Sequence, residues 1–199
     1  MTPQDVFILA DQALLRVVEQ IEDDQWDAVV PSEMAPRQPG STLRQIINYH
    51  AQDDAWVPDV LAGKTIAEVG DTHDGDLLGD EPKAAFARTA ATAMTAVRDF
   101  TDLDKTLHLS YGDYPAREYL THITYFRGGR VYDIAKFIGI DTIMPADLVQ
   151  GLWDALAPHA EEWRAMGVFG PAVEVPADAP LQDRLLALTG RDPRRRARG

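Results

Sequence analysis

The chain contains no cysteine. Disulfides, thiolate metal sites and cysteine nucleophiles are excluded with it. It also lacks an unbroken apolar run of the ~20 residues that a membrane-spanning helix needs. Residues Met1 to Asp5 have no basic segment leading into an apolar one, the pattern of a secretory leader. A cytoplasmic protein with no membrane partner is therefore expected. Basic residues are scarce, 19 against 32 acidic ones, for a net charge of −13. Nucleic acid needs a basic surface to neutralise its phosphates, so it is not an expected partner either. Five arginines are concentrated in the closing "RDPRRRARG". That stretch, 191–199, is expected to be a basic, solvated and disordered end. No glycine-rich phosphate loop follows a strand, no GxSxG turn is present, and "DTHDGDLLGD" lacks the spacing of a calcium loop. The four tryptophans are expected in the core or at an interface.

What the chain does have is helical periodicity. At 199 residues and 45% hydrophobic content it suits one domain, expected over 1–190. The spacing predicts a first helix from Thr2 to about Glu22, with Pro3 in its first position. Ser41 is the expected cap of a second helix ending at Gly63. Asp80 is expected to cap a third, with Pro82 in its first turn. "KTLHLSYGDYP" is the one segment that reads as extended. Asp113 is expected to cap a fourth helix through "YLTHITYFRGGRVYDIAKFIGID". A fifth, kinked at Pro158, and a short helix in "LQDRLLALTG" complete an all-α reading, an antiparallel four-helix bundle with extra C-terminal helices.

Two places interrupt apolar faces with chemistry. On the second helix Leu43, Ile46, Ile47, His50, Asp54, Val57 and Leu61 share one stripe. The pair one turn apart, His50 and Asp54, could be a base held by a carboxylate, or a buried histidine with a structural partner. On the fourth helix His122, Phe126, Gly129, Arg130 and Asp133 share a face, while Leu120, Ile123, Val131, Ile134 and Ile138 form a separate apolar stripe. Arg130 could hold an anion in its planar fork, or simply pair with a carboxylate such as Asp54. Gly128 and Gly129 each cost ~1 kcal/mol against alanine inside a helix. Close approach of a ligand or of another chain segment would account for them, and so would a kink.

"NYHAQDDAWVPDVLAGKTIAEVGDTHDGDLLGDEP", "YDIAKFIG" and "DAPLQDRLLALTGRDP" resemble actinobacterial members of the DinB-like superfamily. They are similar to the branch with mycothiol-dependent maleylpyruvate isomerase and its metal-binding relatives. The resemblance spans nearly the whole chain. It implies a four-helix bundle with zinc or nickel at its open end and a mycothiol thiol acting near the metal. The family's first ligand matches His50, and the other two positions are filled by Phe126 and Arg130. Phenylalanine has no donor atom, and a guanidinium is a permanent cation. A retained metal would need His50 together with His122 and Asp53 or Asp54. The expected cofactor is therefore none, with zinc or nickel plus mycothiol as the alternative.

These readings combine into an isomerase-, cyclase- or lyase-type enzyme acting without a metal on an anionic or carbonyl-bearing small molecule. Its expected catalytic residues are His50, Asp54 and Arg130, and its substrate-binding residues are His122, Phe126, Arg127 and Asp133. The alternatives are a metal- and mycothiol-dependent isomerase or S-transferase with a shifted site, and a non-catalytic small-molecule binder. A homodimer is a possible assembly.

Overall fold

The first two long helices start on reciprocal side-chain caps. In the computed structural model, which describes residues 1–194, the Thr2 hydroxyl accepts from the Asp5 amide while the Asp5 carboxylate accepts from the Thr2 amide. Pro3 then opens α1 (Pro3–Val18). Thr42 and Gln45 make the same reciprocal cap for α2 (Leu43–Ala62), which ends on Gly63 at φ 89°. Ser41, one residue short of that cap, donates its hydroxyl to the Gln38 carbonyl at 2.7 Å instead. A single turn, α3 (Ile66–Val69), precedes α4 (Pro82–Asp99). Glu81 rather than Asp80 occupies the N-cap of α4, with no side-chain bond; Pro82 takes the first position as expected.

The extended segment is an antiparallel hairpin, β1 (Thr106–Leu109) and β2 (Gly112–Pro115), with Leu109 opposite Gly112. Asp113 lies in β2 and pairs with His108 at 2.9 Å, so it does not cap the next helix. That helix, α5 (Ala116–Ile138), begins after Pro115 and ends on Gly139 at φ 78°. The kinked helix expected around Pro158 is divided in two. α6 (Ala146–Leu156) and α7 (Ala160–Ala165) flank a 3-10 turn, Ala157–His159. α8 (Leu181–Leu188) closes the described chain.

The fold is mostly helical, with one two-stranded sheet. α1 packs against α4 and α5, and α2 against α4 and α5; α6 lies on α1 and α5 and is covered by α8. The long connection 19–42 is not a free loop, because Trp26, Val30, Met34 and Ala35 are buried in the core. "DTHDGDLLGD" is pinned to α2, where the Asn48 and Gln52 amides donate to the Gly75 carbonyl at 2.8 and 2.9 Å. Among the described residues no helix is long and apolar enough to cross a membrane.

The interior has two apolar layers. One contains Leu14, Ile47, Ala51, Val131 and Ile134; the other contains Phe7, Val57, Val97, Leu120 and Ile123. Each of the larger of these side chains, fully buried, contributes about 1.5–3 kcal/mol. Three helices insert a charge at the boundary. Asp11 falls between Phe7 and Leu14 on α1, Asp54 between Ala51 and Val57 on α2, and Arg127 between Ile123 and Val131 on α5.

Candidate functional site

Helical spacing brings those three charges together. Arg127 has no exposed surface, and Asp11 and Asp54 are each 1% exposed. The Arg127 guanidinium donates to Asp54 Oδ1 from Nε at 3.0 Å and also from Nη2, while Nη1 donates to the Ile123 carbonyl at 3.2 Å. Asp11 Oδ1 lies 2.6 Å from Nε, an ion pair in which the N–H is already directed at Asp54. The Phe7 ring sits 4.8 Å below the guanidinium carbon. Two carboxylates face one cation here. Burial, and then the charge of Asp54, raise the Asp11 carboxyl well above its ordinary range, so Asp11 is the member that favours its proton.

This triad corrects two expectations. The cation paired with the Asp54 carboxylate is Arg127, not Arg130, and Arg127 is an interior residue rather than a substrate contact. Asp54 also does not orient His50. The imidazole is 2% exposed, and neither ring nitrogen has a hydrogen-bond partner among the described residues. Burial lowers its pKa well below the usual value, and the charges of Arg130 and then Arg127 lower it further. His50 is thus a neutral, unpartnered imidazole beside cations. Asp53, three residues on from His50 along α2, is shifted in the opposite direction. Burial lifts the Asp53 pKa to about 6, Asp54 adds to the rise, and Arg127 opposes it.

Arg130 and Asp133 lie one turn apart on α5, but their closest approach is 3.8 Å. Asp133 is instead held by Arg191, which donates from Nε and Nη2 to its two oxygens at 2.9 Å each. Asp133 is therefore engaged within the protein, and the basic end begins with an anchored residue. Arg194 in that end pairs with Asp192 at 2.9 Å, and the remaining residues, 195–199, lie outside the described residues. Phe126 points outward at 49% exposure, its ring tilted against that of Tyr125 at 5.3 Å between centroids. His122 contacts Tyr111, Tyr114 and Trp163, its Nδ1 3.3 Å from the Tyr111 hydroxyl, and Trp163 links this group to Tyr125.

No protein-family model, curated protein or solved structure matches the chain. The site is therefore read from its own chemistry. The residues present do not fit a divalent metal. His50 offers a free donor, but Asp54 is committed to Arg127, Phe126 offers nothing, and the cations of Arg127 and Arg130 act on His50. Among the described residues no group of three or more histidine and carboxylate side chains is placed to hold an ion.

The two glycines have separate reasons. A Cβ on Gly128 would come within 2.5 Å of Leu152 Cδ1 on α6, and one on Gly129 within 2.6 Å of Arg191 Nη2. Close packing of a helix and of the returning chain requires them.

Sequence reasoning missed Asp11 and Arg191 as site residues, considered Asp53 only as a ligand of a retained metal, and misplaced Arg127. Spacing held a signal for two of them. Asp11 lies in the series Phe7, Asp11, Leu14, Val18, and Arg127 in the series Leu120, Ile123, Arg127, Val131, Ile134. A charge within a buried stripe demands a partner on a facing stripe. Nothing local marks Arg191 as the partner of a residue 58 positions away.

Proposed function

We propose that this chain is a cytoplasmic enzyme of isomerase, cyclase or lyase type, which moves a proton on a small anionic or carbonyl-bearing molecule without a metal. The observation behind the reading is His50, a buried imidazole with both ring nitrogens unpaired and cations beside it. A buried polar group normally finds a partner, so a ligand that supplies one is the natural complement. We further read the helices α1, α2, α4 and α5, which pack as a closed ring, as a DinB-like four-helix bundle.

Arg130 would hold the anionic end or carbonyl oxygen of the ligand. Its side chain is 20% exposed and its one ion pair among the described residues is long. His50, neutral at pH 7, would accept a proton from the adjacent carbon or hydroxyl. The negative charge that then develops on oxygen would be stabilised by the Arg130 guanidinium, which is already in place. Asp53, with a pKa of about 6, would pass protons to and from water near neutral pH.

The test is deuterium exchange from D2O into the methyl group of pyruvate, followed by NMR. Pyruvate is a small probe that is both anionic and carbonyl-bearing. Protein-dependent exchange that His50→Ala abolishes, with pyruvate binding retained by calorimetry, is expected. Exchange unchanged in His50→Ala, or none above buffer in the wild type, would contradict the assignment.

A further inference from the structure

We propose that Arg191 is a positioning residue: by occupying both oxygens of Asp133, it keeps the neighbouring Arg130 guanidinium available for an anion. The proposal rests on the reading of Arg130 as an anion clamp.

Asp133 is three residues beyond Arg130 on α5, the spacing at which an Arg and an Asp pair across one helical turn. The two nevertheless stand 3.8 Å apart at Nη1 and Oδ2, while Arg191 binds the same carboxylate with two parallel bonds of 2.9 Å. Paired, charge-assisted bonds of this kind are the stronger and more directional arrangement. Two guanidiniums thus share one carboxylate, and one positive charge is left over in a protein whose net charge is −13. That surplus lies on Arg130.

The arrangement is built, not casual. α8 delivers the chain to Thr189, whose hydroxyl accepts from Arg191 Nη1 at 3.1 Å and donates to the Leu186 carbonyl at 3.0 Å. The Arg191 amide donates to the Leu186 carbonyl at 2.8 Å. Gly190, at φ 87°, turns the backbone directly against Gly170, where a Cβ would come within 2.8 Å of its Cα. Gly129 leaves the space into which the Arg191 guanidinium lies, and the Tyr125 ring is 6.0 Å from its central carbon. A helix-weakening glycine next to Arg130 therefore serves the residue that occupies Arg130's own potential partner.

Two readouts on the full chain test this. The first needs no ligand: hydrogen-exchange protection of the Arg130 Nε–H, followed by NMR and assigned with Arg130→Lys. Removing Arg191 in R191A should let Asp133 close on Arg130 and slow that exchange, and R191A/D133N should return it to the wild-type rate. The second is pyruvate affinity by calorimetry. R191A should weaken binding by about tenfold, the scale of one charge-assisted hydrogen bond, and R191A/D133N should recover it while any loss of stability persists. Gly129→Ala, which crowds Arg191 out and leaves every charge in place, should act like R191A and serves if R191A does not fold. Arg130 exchange unchanged in R191A and in Gly129→Ala would overturn the proposal. So would an affinity that follows stability and is not recovered in the double variant. If Arg130 exchange responds as expected while pyruvate binds equally well to Arg130→Ala, Arg191 does position Arg130, and it is the anion-clamp reading that fails.

Discussion

Asp54 Oδ1 accepts from two nitrogens of Arg127, and neither side chain reaches solvent. Around this bond the protein separates its two apolar layers, with Asp11 as the second carboxylate. Replacing the guanidinium leaves the Asp54 carboxylate and the neighbouring Asp11 carboxyl buried without a cation. Arg127→Ala is expected to cost about 3–5 kcal/mol of unfolding free energy at neutral pH, read by urea denaturation. The cost should shrink on acidification, as the stranded carboxylates take up protons. A loss below about 1 kcal/mol would mean that the triad contributes little to the fold.

Gly128 lets Leu152 of α6 pack directly against the α5 backbone. Its added methyl in Gly128→Ala meets the branched end of Leu152, which is itself 3% exposed and cannot swing into water. Overpacking costs about 1–3 kcal/mol, against ~1 kcal/mol gained in helix propensity. A net destabilisation of roughly 1 kcal/mol should follow. The double variant Gly128→Ala/Leu152→Ala should be less destabilised than the sum of its parts, because the second change makes room for the first. Strict additivity in chemical denaturation would contradict the contact.

Stability should respond to pH through Asp53 and His50 with opposite signs. The folded Asp53 carboxyl has a pKa of about 6 against an ordinary 3.8, so the native state binds that proton more tightly. Its contribution is full below the ordinary value and is lost as pH rises through about 6. The folded His50 imidazole resists protonation, whereas the unfolded one takes a proton below its ordinary value of 6.5, so its contribution is lost as pH falls from there. Unfolding free energies from pH 4 to 8 for wild type, Asp53→Asn and His50→Gln separate the two. The wild type's advantage over Asp53→Asn should decline between pH 4 and 6; its advantage over His50→Gln should decline below about 6.5. Parallel curves would refute both assignments.

Arg130 makes no hydrogen bond among the described residues, and its long contact with Asp133 is its one ion pair there. Arg130→Ala should therefore cost no more than about 1 kcal/mol of unfolding free energy, from the lost packing of a side chain that is 20% exposed. Pyruvate binding, read by calorimetry, should disappear. A large stability loss with affinity unchanged would make Arg130 a structural cation.

The helices were legible in the sequence because period, proline and capping residues agree. Pro3 and Pro82 stand at first positions as expected, and His50 and Asp54 lie on the buried stripe that their spacing gave. The caps slipped by one residue where two candidates were adjacent, as with Ser41 and Thr42, because only backbone geometry decides which hydroxyl meets an amide. The pairing of charges was less legible. Arg127 and Arg130 sit three positions apart on the same helix, and a small rotation of α5 decides which of them faces Asp54. Packing of the apolar stripe sets that rotation and turns Arg127 inward. Arg191 opens a segment in which five of nine residues are arginine, a composition that points to a solvated end, yet the turn at Gly190 delivers it to Asp133.

The most direct measurement is the 15N spectrum of the His50 imidazole across pH, with and without pyruvate, in wild type and Arg130→Ala. A neutral imidazole is expected at pH 6.5 in the free protein, as burial and the two guanidiniums require. Pyruvate should shift its resonances in the wild type, where the anion lies beside it, and leave them unmoved in Arg130→Ala. An imidazole half-protonated near pH 6.5 and indifferent to pyruvate would contradict the site.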